Sequence, residues 1–182
     1  RQDATEAQRF RGILERTQAA IPELPPLQAL DRTALHALEP ALAQHFQQGY
    51  HLPGEGQLDN RQLLAALVPA LQAGGVCLHW HTPREVNDFA PGEADQPDWL
   101  IDTRGLGAKP QWSTLRGVRG EVVRVHAPEV SLSRPTRLMH PRYPIYIAPK
   151  QNHLFVIGAT EIESDDMSPA SVRSAMELLS AA

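Results

Sequence analysis

Residues 99–109, Trp-Leu-Ile-Asp-Thr-Arg-Gly-Leu-Gly-Ala-Lys, set a short apolar run ahead of a Gly-x-Gly turn at Gly105 and Gly107. Glycines at a strand end let a backbone approach a phosphate closely, which is the chemistry of dinucleotide binding. The third glycine of that fingerprint is absent, and Pro110 stands where its helix should run. A bare Gly-x-Gly is a weak signal. The stretch therefore reads as a tight strand-end turn, or as a ligand-facing turn of another kind.

His79 and His81 lie two apart on an expected strand, so both imidazoles would point the same way. Two such nitrogens can begin a metal site. No neighbouring Cys, Asp or Glu completes the set, and no metal is assigned. Cys77 falls in the same expected strand, where a buried thiol is inert. Glu161, Glu163, Asp165 and Asp166 form an acidic run. Such a run reads as a solvated loop or as negative charge ahead of a helix start. Spacing alone does not make it an acid–base pair. His140, Arg142, Tyr143 and Tyr146 lie among prolines. The tyrosines suit either the wet edge of a core or the wall of a pocket for a small polar ligand. No Ser-His-Asp or Cys-His arrangement is present.

These residues need elements to hold them. Phe10, Ile13, Leu14 and Thr17 recur at helical spacing, and Pro22, Pro25 and Pro26 stop that helix. Asp31 caps a short helix carrying Ala34, Leu35 and Leu38. Residues 44–55 read as loop or short strand. Asp59, three residues before Gln62, opens the clearest helix, with Leu63, Leu64, Leu67, Val68 and Leu71 on one face. Pro69 flaws it and Gly74-Gly75 ends it. Residues 76–81 then read as a strand packed beside it, 87–98 as loop, and 99–103 as a short strand. Beyond that, residues 118–125, 136–139, 145–148 and 154–159 read as strands. The last two form an antiparallel hairpin around Gln151-Asn152. Ser168-Pro169 opens a final helix with Val172, Ala175, Met176 and Leu179 as its core face.

The fold class expected is α+β: an antiparallel or mixed sheet with helices, beside a remnant of an α/β layer. Residues 1–110 form the helical and α/β part, and residues 111–182 the sheet with its closing helix. With 182 residues the chain holds one domain or one domain plus extensions. A net charge of -4 without a basic cluster argues against a nucleic-acid partner. No apolar run approaches the roughly 18 residues of a membrane span. No leader is visible, although the chain begins at Arg1 and a leader or a whole domain could precede it. One cysteine allows no internal disulfide, which suits a reducing cytoplasm.

Several stretches together resemble one family. Residues 51–67, His-Leu-Pro-Gly-Glu-Gly-Gln-Leu-Asp-Asn-Arg-Gln-Leu-Leu-Ala-Ala-Leu, look like its extended segment and helix ahead of a flavin-contacting strand. Residues 99–107 resemble the strand and glycine turn beside the cofactor. Residues 115–125 resemble the strand leading into the substrate domain. Tyr146-Ile-Ala-Pro and Phe155-Val-Ile-Gly-Ala-Thr-Glu resemble the hairpin over the substrate pocket. The family is the glycine oxidase / D-amino-acid oxidase group of FAD enzymes, of the bacterial thiamine-pathway glycine oxidase type. The resemblance runs from about Leu30 onward and is most specific at Gly158-Ala159-Thr160-Glu161.

The resemblance implies FAD as cofactor and a small amino acid or amine as substrate. It implies hydride transfer from carbon to flavin, imine hydrolysis and hydrogen peroxide formation. It makes Tyr146 the pocket tyrosine that positions substrate, and the catalytic candidate. Glu161 falls where relatives place a residue over the pocket, often an apolar one; an acid there would favour an amine or a cationic side chain. Arg104, Gly105 and Gly107 become flavin-side residues, and Arg84 a contact to the adenine end. Relatives commonly self-associate. The family's N-terminal Gly-x-Gly-x-x-Gly unit is absent, as is the segment with its carboxylate-binding arginine. The piece alone is therefore expected to bind FAD poorly and to be inactive. Two other readings stay open: an amino-acid dehydrogenase using another electron acceptor, and a non-catalytic interaction domain of the same fold.

Overall fold

Asp31 accepts from the backbone N–H of Ala34 at 2.8 Å and so starts helix α2, Arg32–Leu38. This N-cap satisfies one of the donors that every helix start leaves unpaired. Pro40 then opens the four-residue α3, Pro40–Ala43. These helices lie between strands β1, Gln28–Asp31, and β2, Gln48–His51, which pair antiparallel with Leu30 opposite Gly49. Leu35 and Ala43 are buried. In the computed structural model, residues 4–139 and 144–182 are described. His140, Arg142 and Tyr143 lie outside them.

The main sheet has four antiparallel strands in the order β4-β7-β6-β5. They are β4 (Val122–His126), β5 (Thr136–Leu138), β6 (Ile145–Pro149) and β7 (Leu154–Gly158). The β6–β7 hairpin closes where Asn152 and His153 take positive φ, and Lys150 N–H donates to the Leu154 carbonyl. Alternation along each strand divides the sheet into two faces. One face carries Val123, Val125, Leu138, Ile145, Ile147 and Ile157, and helix α5 (Val172–Ala181) covers it through Leu178 and Ala181. Each fully buried aliphatic side chain there contributes about 1.5–3 kcal/mol.

α5 differs from expectation in start and in rotation. Its cap is Ser171, not Ser168, and its buried residues are Ser174 and Leu178. Val172, Met176 and Leu179 are exposed. The helix turns this way because Ser174 joins a polar network: its N–H donates to Ser171 Oγ at 3.1 Å, and the two hydroxyls lie 2.9 Å apart.

Compactness divides the chain into two units. The first comprises residues 1–58, 120–162 and 168–182, and so groups most of the expected first part with the sheet. The reason is polar. Glu39, only 3% exposed, accepts from the N–H and the hydroxyl of Ser133 and from Arg134 at 3.1 Å. Lys150 donates to the Leu58 carbonyl at 2.8 Å, and Gln57 donates to the Pro149 carbonyl. Helix α1, Ala4–Ala20, also belongs to this unit.

The second unit comprises residues 59–119 and 163–167. Its long element is α4, Asn60–Ala73, capped by Asp59 and containing Pro69. β3 is Val118–Arg119, and β8, Ile162–Glu163, is where the chain passes between the units. Residues 76–81 and 99–103, expected as strands, form none. A strand exists only where a neighbouring strand takes up its N–H and C=O groups, and no described strand pairs with either segment. Trp99 and Ile101 are 84% and 80% exposed, and Cys77, expected buried, is exposed. The apolar face of α4 is uncovered as well, with Leu63, Leu64, Leu67 and Leu71 all exposed. No described helix is long and apolar enough to cross a membrane.

Candidate functional site

The second face of the four-stranded sheet is left uncovered by α5. Register puts four residues in one row across it: Arg137 opposite Tyr146, Tyr146 opposite Gly158, and Gly158 opposite Val122. The next row carries Ala148, Val156 and Arg124. Tyr146 is 40% exposed, so its phenol has one side against the sheet and the other open. A phenol so placed can donate or accept a hydrogen bond to a small polar ligand. Arg137 and Arg124 are exposed and have no hydrogen-bond or ion-pair partner among the described residues. They supply positive charge to the same face. Sequence reading passed them over, because only the strand register shows that they share a face with Tyr146.

Glu161 follows the end of β7 by three residues. It is exposed, again without a partner among the described residues. Its neighbour Thr160 is fixed: the Thr160 N–H donates to the Glu121 carbonyl at 3.1 Å, and the Glu121 N–H donates to Thr160 Oγ1 at 2.9 Å. A cavity of about 290 Å³ lies elsewhere, lined by Arg11, Glu15, Gln18 and Tyr50 among others, and contains none of the expected site residues.

The glycine turn belongs to the second unit. Arg104 is right-handed (φ -67, ψ -5), Gly105 follows at φ +58, and residues 105–108 make a 3-10 turn. A right-handed residue followed by a left-handed one makes successive N–H groups converge, a concavity suited to anions and electron-rich edges. A Cβ built on Gly105 would meet nothing within 4 Å, so the backbone is open to an approaching group. Gly107 is different, since a Cβ there would lie 3.2 Å from that of Arg104.

The Arg104 guanidinium is engaged within its own unit. Nε and Nη2 bond Asp102 at 3.0 and 2.9 Å, and Nη1 faces Glu85 at 3.4 Å. The Arg104 bonds hold the Asp102 carboxyl below the usual carboxylate range. Arg104 thus braces the turn, and any ligand would meet the Gly105 backbone first. Arg84 is exposed.

The acidic run is not a simple solvated loop. Lys109 pairs with Asp165, whose other oxygen accepts from the Gly117 N–H at 2.9 Å. Arg119 pairs with Asp166 at 3.1 Å, and Arg116 faces Glu163 at 3.6 Å. Lys109, followed by the Gly117 N–H, lowers the pKa of Asp165. His79 and His81 do not share a strand face, because no strand forms and His81 has φ 55. No group of three metal-ligating side chains occurs among the described residues.

Comparison with known proteins decides the family. The sequence profile described as DAO, FAD dependent oxidoreductase, matches residues 1–182. The chain belongs to the DAO family of FAD-dependent oxidoreductases. It is 46% identical over 154 residues to ThiO of Rhizobium etli, a candidate thiamine biosynthesis oxidoreductase, covering 84% of the chain and 45% of that protein. It is 32% identical over 155 residues to a glycine oxidase of Geobacillus kaustophilus, covering 74% of the chain and 39% of the relative. Among solved structures, glycine oxidase from Geobacillus kaustophilus superimposes with a TM-score of 0.75 at 24% identity, over 98% of this chain and 50% of that one. This likeness establishes the α+β fold. The chain thus spans half or less of the length of these relatives. For a DAO family member the open turn at Gly105 fits a flavin through its backbone, whereas the Arg104 side chain is committed elsewhere.

Proposed function

We propose that this chain supplies the substrate face, and part of the cofactor side, of an oxidase acting on the C–N bond of a small amino acid or amine. The observation that carries this reading is the uncovered sheet face with the half-exposed Tyr146 phenol at its centre. When bound, FAD would supply the hydride acceptor for oxidation of the substrate C–N bond to an imine that water hydrolyses, with oxygen as the final electron acceptor and hydrogen peroxide as product.

The residues of this chain bind and orient. Tyr146 hydrogen-bonds the substrate and fixes its rotation over the sheet, which is how positioning lowers a barrier. Glu161 offers a negative charge to a substrate ammonium or to a cationic side chain. The Gly105 backbone, with Gly107 closing the turn, would help hold the flavin, and the exposed Arg84 would serve its adenine end. The exposed Leu64, Trp99 and Ile101 support reading residues 59–119 as the flavin-side layer, with an apolar surface for the rest of such an enzyme to cover. The sheet with α5 is the substrate side. A cytoplasmic compartment and self-association belong to the same proposal.

The test is peroxide formation by the flavin-loaded protein with glycine, sarcosine and a series of D-amino acids. Peroxide in proportion to one of these amines supports the reading. A flavin-loaded protein that makes none with any of them contradicts it.

A further inference from the structure

We infer that Gly158 is a positioning residue: its missing side chain is the seat on which the Tyr146 ring lies, and it sets where the phenol hydroxyl stands. The inference rests on the substrate role proposed for Tyr146 and adds the residue that aims it.

Tyr146 and Gly158 are directly opposed on β6 and β7, so their side-chain positions share a face. An ideal Cβ on Gly158 would lie 2.7 Å from Tyr146 Oη and 2.8 Å from Cζ. A tyrosine standing upright on a sheet carries its hydroxyl well above the neighbouring strand. Here the ring lies down instead, with its polar end over the glycine. On the far side, the same Cβ would lie 2.6 Å from Val122 Cγ1. Gly158 is buried beneath this cover, while the ring keeps its outer side open.

A positive φ is not what calls for the glycine, because Gly158 is not among the residues with positive φ. Space does. Real Cβ atoms essentially never approach other atoms under 3.0 Å, so alanine forces a shift. The atoms in the way are side-chain atoms of Tyr146 and Val122, not backbone. The sheet therefore survives, and the phenol is what moves. A methyl group placed at the seat lifts the hydroxyl away from its position.

The test uses the flavin-loaded full-length enzyme, its best amine substrate, and the variants Gly158→Ala, Tyr146→Phe and the double variant. Tyrosine labelled with carbon-13 reports the ring directly, and the Tyr146 signal is assigned by its loss in Tyr146→Phe. The expected result is a shifted Tyr146 ring signal in Gly158→Ala, with KM raised about tenfold and kcat changed far less, the signature of lost binding. In the Tyr146→Phe background the same alanine raises KM by less than about twofold, since the hydroxyl it would displace is gone. Adding Val122→Ala relieves only the other collision, so it restores folding if Gly158→Ala is unstable but leaves KM raised.

An unmoved ring signal and an unchanged KM in Gly158→Ala, alongside a raised KM in Tyr146→Phe, overturn the seat and leave the substrate role standing. A KM unchanged in both single variants contradicts the substrate role itself, and the positioning role with it.

Discussion

Glu121 and Ser171 are joined twice: the carboxylate accepts from the Ser171 N–H and from its hydroxyl, each at 3.1 Å. Glu121 is only 5% exposed, immediately ahead of β4, and its backbone also holds Thr160. The pair thus ties the start of α5 to the residue beside Glu161. Hydrogen bonds to a charged acceptor are worth about 1.5–3 kcal/mol, and a lost helix cap about 1 kcal/mol. Glu121→Ala should therefore destabilise the protein by roughly 2–3 kcal/mol, read from a denaturant melt. A loss below about 0.5 kcal/mol, typical of exposed surface sites, would show the network to be ornamental.

Glu39 plays the same part ahead of β5. It holds the connection between α2 and α3 to Ser133 and Arg134, just ahead of β5. Glu39→Ala should loosen residues 28–58 before the sheet itself. Hydrogen exchange is expected to rise at β1 and β2, with β6 and β7 little changed. Uniform exchange across both sheets would refute that division.

Asp165 carries a pH dependence with a definite sign. Lys109 and the Gly117 N–H hold its carboxyl below the ordinary 3.8. A depressed carboxylate stabilises the fold above its unfolded value, and the contribution fades as pH falls through the folded value. The contribution should thus be complete above about pH 5 and lost only in strong acid. Lys109→Met should move the Asp165 titration upward, toward 3.8, in a carboxyl carbon NMR titration. An unmoved titration would assign the shift to Gly117 alone.

Glu161→Leu tests the role in substrate choice proposed for that carboxylate. With the carboxylate gone, substrates bearing a second cationic group should lose affinity by about tenfold relative to glycine, in line with removal of one exposed to half-exposed charge contact. Equal KM changes for both substrate types would take Glu161 out of substrate choice.

Much of the local structure could be read from sequence, because its causes are local. The Asp31 and Asp59 caps, the proline stops and the turn at Gln151-Asn152 each depend on a few adjacent residues. The β6–β7 hairpin and Tyr146 at its start followed from the same signals. What escaped depends on partners distant in sequence. Residues 76–81 and 99–103 have strand composition but nothing described to pair with. The α5 stripe of Val172, Met176 and Leu179 is apolar, yet the helix is rotated by Ser174 and Leu178. The acidic run is exposed, as it looked, but its ion pairs escaped because Lys109, Arg116 and Arg119 lie more than 40 residues earlier. Arg137 joined Tyr146 only through register, which a sequence pattern does not number.

The most direct test of the central claim is optical. The full-length protein would be loaded with FAD, freed of oxygen and titrated with glycine, sarcosine and D-amino acids while its visible bands are followed. Bleaching of the flavin by one of these amines, slowed or weakened by Tyr146→Phe, is the result expected. A folded, flavin-loaded protein whose bands stay unchanged through the whole series would contradict the account.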